Sequence, residues 1–525
     1  MDLKRLFFLL VVFCMITVST TAAHAKKILY VPIDNRPCNL YQVVQVAEKL
    51  GYEILTPPAN MIGSRGENPG DVESMWQWLR ENASQADYAV LSTDALLYGS
   101  LVNSRVHGLT ADKIMERARR FKTFDDDFPY LTIFAFGTIM RTPRHNLDGD
   151  APYYQTHGQK IFEYTALLDK QEMNLLKGKD SRELKKLKAD IPQEYLDDWF
   201  KRRAKNFNAN ELFIEYTRAG IFDYFLIGCD DSAIFSQTHR ESRHLTELGS
   251  DMGKTFVQVM SGADELGMLM ISRAINIDKG RMPFVAVAYN AGKGAETFPT
   301  YGNEIIGTSV DQAIIAAGCL KIPAPERADL VIAVNTRANG KTYEATDVKK
   351  NTLKLRNDLK TFMALINNFM DKNYPVAIAD IAFGNGADNA LMNQLKLNDL
   401  QYKIRAYGGW NTATNSTGFL IGASVLTNCM DDKDIAELLT TRYLDDWIYE
   451  ANIRNEITSH AYGLAINPWG IKPEQLPEFE QLLTDKMSAF AEKNLIVPSR
   501  WQFKNFKAYL PWRRVFECDP RFTLE

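Results

Sequence analysis

Asp230 and Asp231 stand side by side directly after the apolar run Tyr224, Phe225, Leu226, Ile227. Like charges held together push one carboxyl pKa upward. One group can then keep a proton while the other stays charged, the division that acid-base cleavage of a glycosidic bond needs. Asp264 and Glu265, in "SGADELG", form a second such pair after the next apolar run.

Polar residues follow most other apolar runs too. Asp34, Asn35 and Arg36 come after "KILYVPI", and Asp94, Tyr98 and Arg105 after "YAVLST". Arg141 and His145 follow "LTIFAFG", Asn290 follows "FVAVAY", and Asn389 follows "VAIADIAF". Trp410, Asn411 and Asn415 follow "KIRAYG". Any single Asp, Asn or Ser here has a plainer role as a helix N-cap, and Asp231 and Asp264 are candidates for it. Capping does not call for Arg36, Arg105, Arg141, Tyr98 and Trp410 in the same class of loop. Carboxylates, guanidinium groups, amides and aromatic rings together suit a polar ligand rich in hydroxyls.

Other chemistries fit less well. His239 and His244 in "HRESRH" are five residues apart, which turns their rings about 140° from each other on a helix. A zinc-protease pair needs a spacing of four, so these two read as part of a solvated helix face. There is no G-x-S-x-G, and Cys229 lies inside an apolar run as a core thiol would. "GNGADN" carries two glycines of a dinucleotide fingerprint and lacks the third. No resident cofactor is expected. A Ca²⁺ or Mg²⁺ site built from Asp34, Asp94, Asp230 or Asp264 is the alternative.

The elements that must position these residues alternate. Ten short apolar runs are separated by amphipathic helical stretches, so the fold class is α/β. The runs are continuous rather than alternating, which implies burial on both faces and mainly parallel sheet. Eight runs would suffice for a (β/α)8-like barrel with additions. Two open parallel sheets, parting near residues 300–325, use all ten and are preferred. The expected organisation is a first α/β lobe over 26–300 carrying most site loops, a second over 301–429, and a helical region over 430–525 with a late Trp- and Pro-containing tail. Residues 150–222 read as a helical insertion in the first lobe.

Residues 1–25 read as a leader: Lys4 and Arg5, an apolar stretch over 6–18, and "AHA" as a small-x-small cleavage site. Removal would leave Lys26 first and send the protein to the periplasm or outside the cell. No later stretch is apolar enough to span a membrane. Five cysteines remain, an odd number at wide spacing, which suits buried thiols better than a disulfide scaffold. The 525 residues are 46% hydrophobic and 24% charged, with a formal net charge of -4. That is an ordinary globular composition, and it offers no basic stripe to a nucleic acid. Nothing in it constrains the oligomeric state.

"VPIDNRP", the Asp-Asp pair after a buried run, "GADELGM" and "WNTATNSTG" occur in that order. Together they resemble the bacterial domain-of-unknown-function family 4127 over nearly the whole chain after the leader, a family whose name carries no activity. The Asp-Asp pair and the later Trp-Asn loop also resemble, locally, family 84 glycoside hydrolases, which are substrate-assisted N-acetyl-β-hexosaminidases. That likeness implies that Asp230 orients a substrate acetamide and that Asp231 is the acid/base. It further implies that Asn411 and Asn415 hold sugar hydroxyls while Trp410 packs under the ring. The loop here reads "WNTATN" and lacks the Pro and Asp of that family. The expected function is an exported hydrolase cleaving a glycosidic bond in a small carbohydrate or glycan, with N-acetylhexosaminidase as its specific form. The alternative is a periplasmic sugar- or solute-binding protein without catalysis.

Overall fold

The computed structural model describes residues 25–64, 68–146 and 150–525. The expected leader falls, apart from Ala25, outside the described residues.

The apolar runs become strands of two open sheets. The first holds β1 (Lys27–Val31), β2 (Glu53–Leu55), β3 (Tyr88–Ser92), β4 (Thr132–Ile139), β5 (Tyr224–Cys229) and β6 (Val257–Ser261), in the order β2-β1-β3-β4-β5-β6. The second holds β7 (Phe284–Tyr289), β8 (Leu320–Lys321), β9 (Leu330–Asn335), β11 (Val376–Asp380) and β13 (Ala406–Gly408), in the order β13-β11-β9-β7-β8. Every pairing in both is parallel. The class is therefore α/β as expected. No strand of one sheet pairs with the other, so no closed barrel forms among the described residues. The sheets part between β6 and β7, upstream of residues 300–325, because β7 pairs with β9.

Continuous hydrophobicity has the expected cause. β5 is buried at all six positions because helices cover both faces. Helices Leu266–Asp278, Ile306–Ala316 and Ala413–Ser424 fill the space between the sheets. There one core joins Tyr30, Phe134 and Leu226 of the first sheet to Ile332, Val334 and Ala377 of the second, through Leu269, Ile314 and Leu420. Leu266–Asp278 is buried on almost every side, as an all-round apolar helix must be. Trp76, Phe121 and Phe213 cover the outer face of the first sheet. Phe362, Leu391 and Leu483 lie in the core on the outer side of the second.

The insertion forms helices Tyr154–Glu172, Gly178–Asp190 and Gln193–Arg218, with a small core of Tyr154, Ile161, Leu187 and Trp199. It braces the chain after β4. Buried Arg203 holds Glu241 at 2.8 Å and donates to the carbonyls of Met140 at 2.7 Å and Arg141 at 2.9 Å. His239 and His244 stay partly exposed on their helix and pair with the same insertion. His239 Nδ1 pairs with Asp169 at 2.6 Å and His244 Nε2 with Glu172 at 2.5 Å.

The C-terminal region is not wholly helical. It contains a π-helical stretch, Tyr443–Ile453, and an antiparallel hairpin of β14 (Phe503–Tyr509) and β15 (Asp519–Leu524). Short parallel strands β10 (Tyr343–Glu344) and β12 (Phe383–Gly384) pair beside the second sheet. The cysteines from Cys38 to Cys518 are free, and all except Cys429 are buried. No described helix is long and apolar enough to cross a membrane.

Candidate functional site

The carboxyl ends of the first-sheet strands open on a cleft of about 610 Å³. Asp230, Asp231, Asp264, Arg36, Arg105, Arg141, Asn411 and Asn415 all line it. Eight of the expected site residues thus come together from loops far apart in sequence.

Asp230 begins the turn after β5, and its backbone N–H donates to Ile139 at 3.2 Å. Its Oδ2 accepts Arg105 Nε at 2.9 Å and Nη2 at 2.5 Å. Burial pushes its pKa up to about 6, Arg105 opposes that, and neighbouring Asp231 adds to it. Asp231 is the more open of the two, with 34% of its side chain exposed and Arg141 Nη1 at 3.5 Å. Its φ of 21° lies at the left-handed edge that residues with a Cβ rarely visit. The turn is pinned on both sides: Thr142 N–H donates to the Asp231 carbonyl at 3.3 Å, and Ser232 N–H to the Tyr301 carbonyl at 2.9 Å.

Asp264 joins the two sheets. It accepts Arg36 Nη1 at 3.1 Å from the first sheet, Asn411 Nδ2 at 3.0 Å from the loop after β13, and Asn415 Nδ2 at 3.3 Å from the first turn of helix Ala413–Ser424. The Asn415 Oδ1 in turn accepts Ala263 N–H at 3.1 Å. Arg36 lies between Asp264 and Asp34, donating to Asp34 through Nε at 3.0 Å and Nη2 at 2.8 Å. Neither Asp231 nor Asp264 caps a helix. Ser236 caps Gln237–Leu248, and Glu265 occupies the cap position of Leu266–Asp278 without a side-chain bond.

The other expected residues lie elsewhere. Glu265 is fully buried, and no other side chain hydrogen-bonds its carboxyl group. Burial pushes its pKa up to about 8. Gly262, at φ 111°, and Gly418 make room for it, since a Cβ on Gly418 would come within 2.4 Å of Glu265 Cγ. Asp34 sits behind Arg36. Asn35 Oδ1 accepts the Trp512 indole N–H at 2.6 Å. Asp94 turns inward to Thr138 N–H at 2.7 Å, and burial lifts it to about 7. Tyr98 stacks on His107 at 4.8 Å beside a separate surface depression, and His145 is exposed. Asn290 bonds Asn335 at 3.1 Å at the carboxyl ends of β7 and β9, and Asn389 bonds Asn452 at 3.1 Å. Trp410 is buried behind its loop. Of the residues named for a Ca²⁺ or Mg²⁺ site, Asp34 and Asp264 have the Arg36 guanidinium between them. Among the described residues no three His, Cys, Asp or Glu side chains are arranged to hold a metal.

Asn146 of the loop after β4 lines the cleft too, and Tyr301, Asn385 and Gln155 line it unforeseen, as do Trp469, Trp512, Arg514 and Phe516 of the tail. The only sequence signal for these last four is a pair of Pro-Trp steps in an otherwise helical stretch. Asp231, Tyr301 (φ 71°), Asn385 (φ 55°) and Trp512 (φ 57°) all have left-handed backbones and all line the cleft. Such backbones persist only where the surroundings hold them, and they gather at functional sites. The arrangement offers a buried, arginine-paired carboxyl with a raised pKa beside a more open carboxylate, amides for hydroxyls, and aromatic faces.

Two structures resemble this one weakly. Both are of dinucleotide forming acetyl-coenzyme A synthetase 1 from Ca. Korarchaeum cryptofilum, one in complex with phosphate and ADP and one apo. Each is 9% identical and covers 78% of this chain and 97% of that chain, with TM-scores of 0.15 and 0.14. At those scores the likeness carries nothing about fold or site. No curated protein matches, and the local likeness to family 84 glycoside hydrolases gains no support. Residues 28–520 match the family described as "Protein of unknown function (DUF4127)", and the chain belongs to it.

Proposed function

We propose that this member of the DUF4127 family is a carbohydrate-active hydrolase that cleaves a glycosidic bond, with an N-acetylhexosaminide as the first substrate to try. One observation carries the reading. Asp230 and Asp231 lie together in an aromatic- and amide-lined cleft, the first lifted to about 6 by burial and the second open to it. In this reading Asp230 is the general acid. It gives its proton to the glycosidic oxygen as the bond to the anomeric carbon breaks, and Asp231 faces the positive charge that develops there. Water then adds to the anomeric carbon and returns a proton to Asp230. This exchanges the roles that the family 84 likeness implied, because burial acts on Asp230. The leader predicted over residues 1–25 would place the reaction outside the cytoplasm.

One observation favours a second reading, sugar or solute binding without cleavage. Asp230, Asp231 and Asp264 each already face an arginine. A panel of chromogenic glycosides, including the N-acetylglucosaminide, separates the two. The hydrolase reading expects turnover by the wild type that disappears in Asp231→Asn. Sugar-induced thermal stabilisation with no turnover on any glycoside would replace it with the binding reading.

A further inference from the structure

We infer that the cleft holds a second sugar ring against an aromatic wall built by the C-terminal tail, so that its ligand is an oligosaccharide. The inference rests on the carbohydrate reading above. Trp469 and Phe516 line the cleft with ring centroids 5.8 Å apart and planes 31° apart. Trp469 is 49% exposed. A lone exposed aromatic needs no explanation, but this one stands on a cleft wall beside a second ring. The apolar C–H face of a pyranose packs on such a surface while its hydroxyls reach polar neighbours.

The wall is built rather than loose. Val515 N–H donates to the Pro468 carbonyl at 2.9 Å, and Ile471 N–H to the Arg513 carbonyl at 2.8 Å, so two distant loops form one unit. Trp512 and Arg513 hold consecutive left-handed conformations, φ 57° and 50°. The Trp512 indole N–H is used on Asn35, which ties the tail to the loop after β1. Arg514, gripped by Glu517 through Nε at 2.6 Å, lies over Trp512 at 4.8 Å and over Phe516 at 5.3 Å. Trp469 keeps about half its surface exposed, 49%, and that surface can take a ligand. The acids come from the first sheet and the wall from the tail, and both line the one cleft, so a ring on the wall would share that cleft with the ring being cleaved. A cleft of about 610 Å³ suits a ligand of drug size rather than one pyranose.

The test uses Asp231→Asn protein, to keep any substrate intact, on an array of monosaccharides and their di- to hexamers. Calorimetry of the best monosaccharide and its oligomer follows. The oligomer should bind at least about tenfold tighter than its monomer. Adding Trp469→Ala should weaken the oligomer about tenfold more than the monomer, and Trp469→Phe should restore most of the difference. Melting curves check that each variant folds. A monomer bound as tightly as its oligomers, or equal weakening of both by Trp469→Ala, would overturn the second ring and leave the carbohydrate reading standing. Silence for every sugar would remove both.

Discussion

Both sheets set carboxylates at the carboxyl ends of their strands, and only the first set meets open space. At the first sheet, Asp230 and Asp231 line the cleft and Asp231 is one-third exposed. At the second, Asp380 accepts Asn335 at 2.9 Å, Asp388 N–H at 2.7 Å and the Tyr407 hydroxyl at 2.6 Å. Asp388 holds Arg356 Nη1 at 3.0 Å and caps its own helix. The π-helical stretch supplies Asp446, which accepts Gly409 N–H at 2.7 Å. Asp380, Asp388 and Asp446 are at most 1% exposed. Burial still lifts Asp380 to about 7 and Asp446 to about 8. A raised pKa at a strand end is therefore not by itself the mark of a site. What separates the two sets is whether a ligand can reach an acceptor that the protein has not already used.

The largest effect that would break this comparison lies in the open set. Asp231→Asn should cut glycoside turnover by about 10²–10⁴-fold with little change in melting temperature. Asp230 adds a pH signature. Its proton is held below about pH 6 and lost above, so kcat/KM should fall as pH rises past that value. A profile flat from pH 5 to 8 would remove Asp230 as the acid. Next comes Arg36→Ala, which leaves Asp34 and Asp264 buried without their shared cation. Loss of one partner of a buried pair costs about 3–5 kcal/mol, read from the denaturant midpoint. An unchanged midpoint would mean that the Arg36 network does not hold the sheets together.

A smaller effect belongs to Gly418→Ala, whose methyl would press on Glu265. Overpacking of that kind costs about 1–3 kcal/mol, and thermal unfolding would show it. The smallest is His145→Ala. This residue is exposed and outside the cleft, so stability should stay within about 0.5 kcal/mol and turnover should not move. A clear loss of activity there would mean that the cleft extends further along the loop after β4.

Local sequence determined the strands. Unbroken apolar runs such as Tyr224 to Cys229 can be satisfied only by burial on both faces, and parallel sheet between helices supplies it. The same local signal placed Asp230, Asp231 and Asp264 at strand ends. Tertiary structure decided which of those ends stayed open. Asp264 meets Asn411 across 147 positions and Trp512 meets Asn35 across 477. No periodicity within one segment carries such a contact. Glu265 shows the same limit, since its neighbour Asp264 reaches the cleft while Glu265 turns into a space left by Gly418. Hydrophobic period and strand-end chemistry are short-range properties and can be read along the chain. Coverage of a strand end depends on what the rest of the fold packs over it, and only the folded chain specifies that.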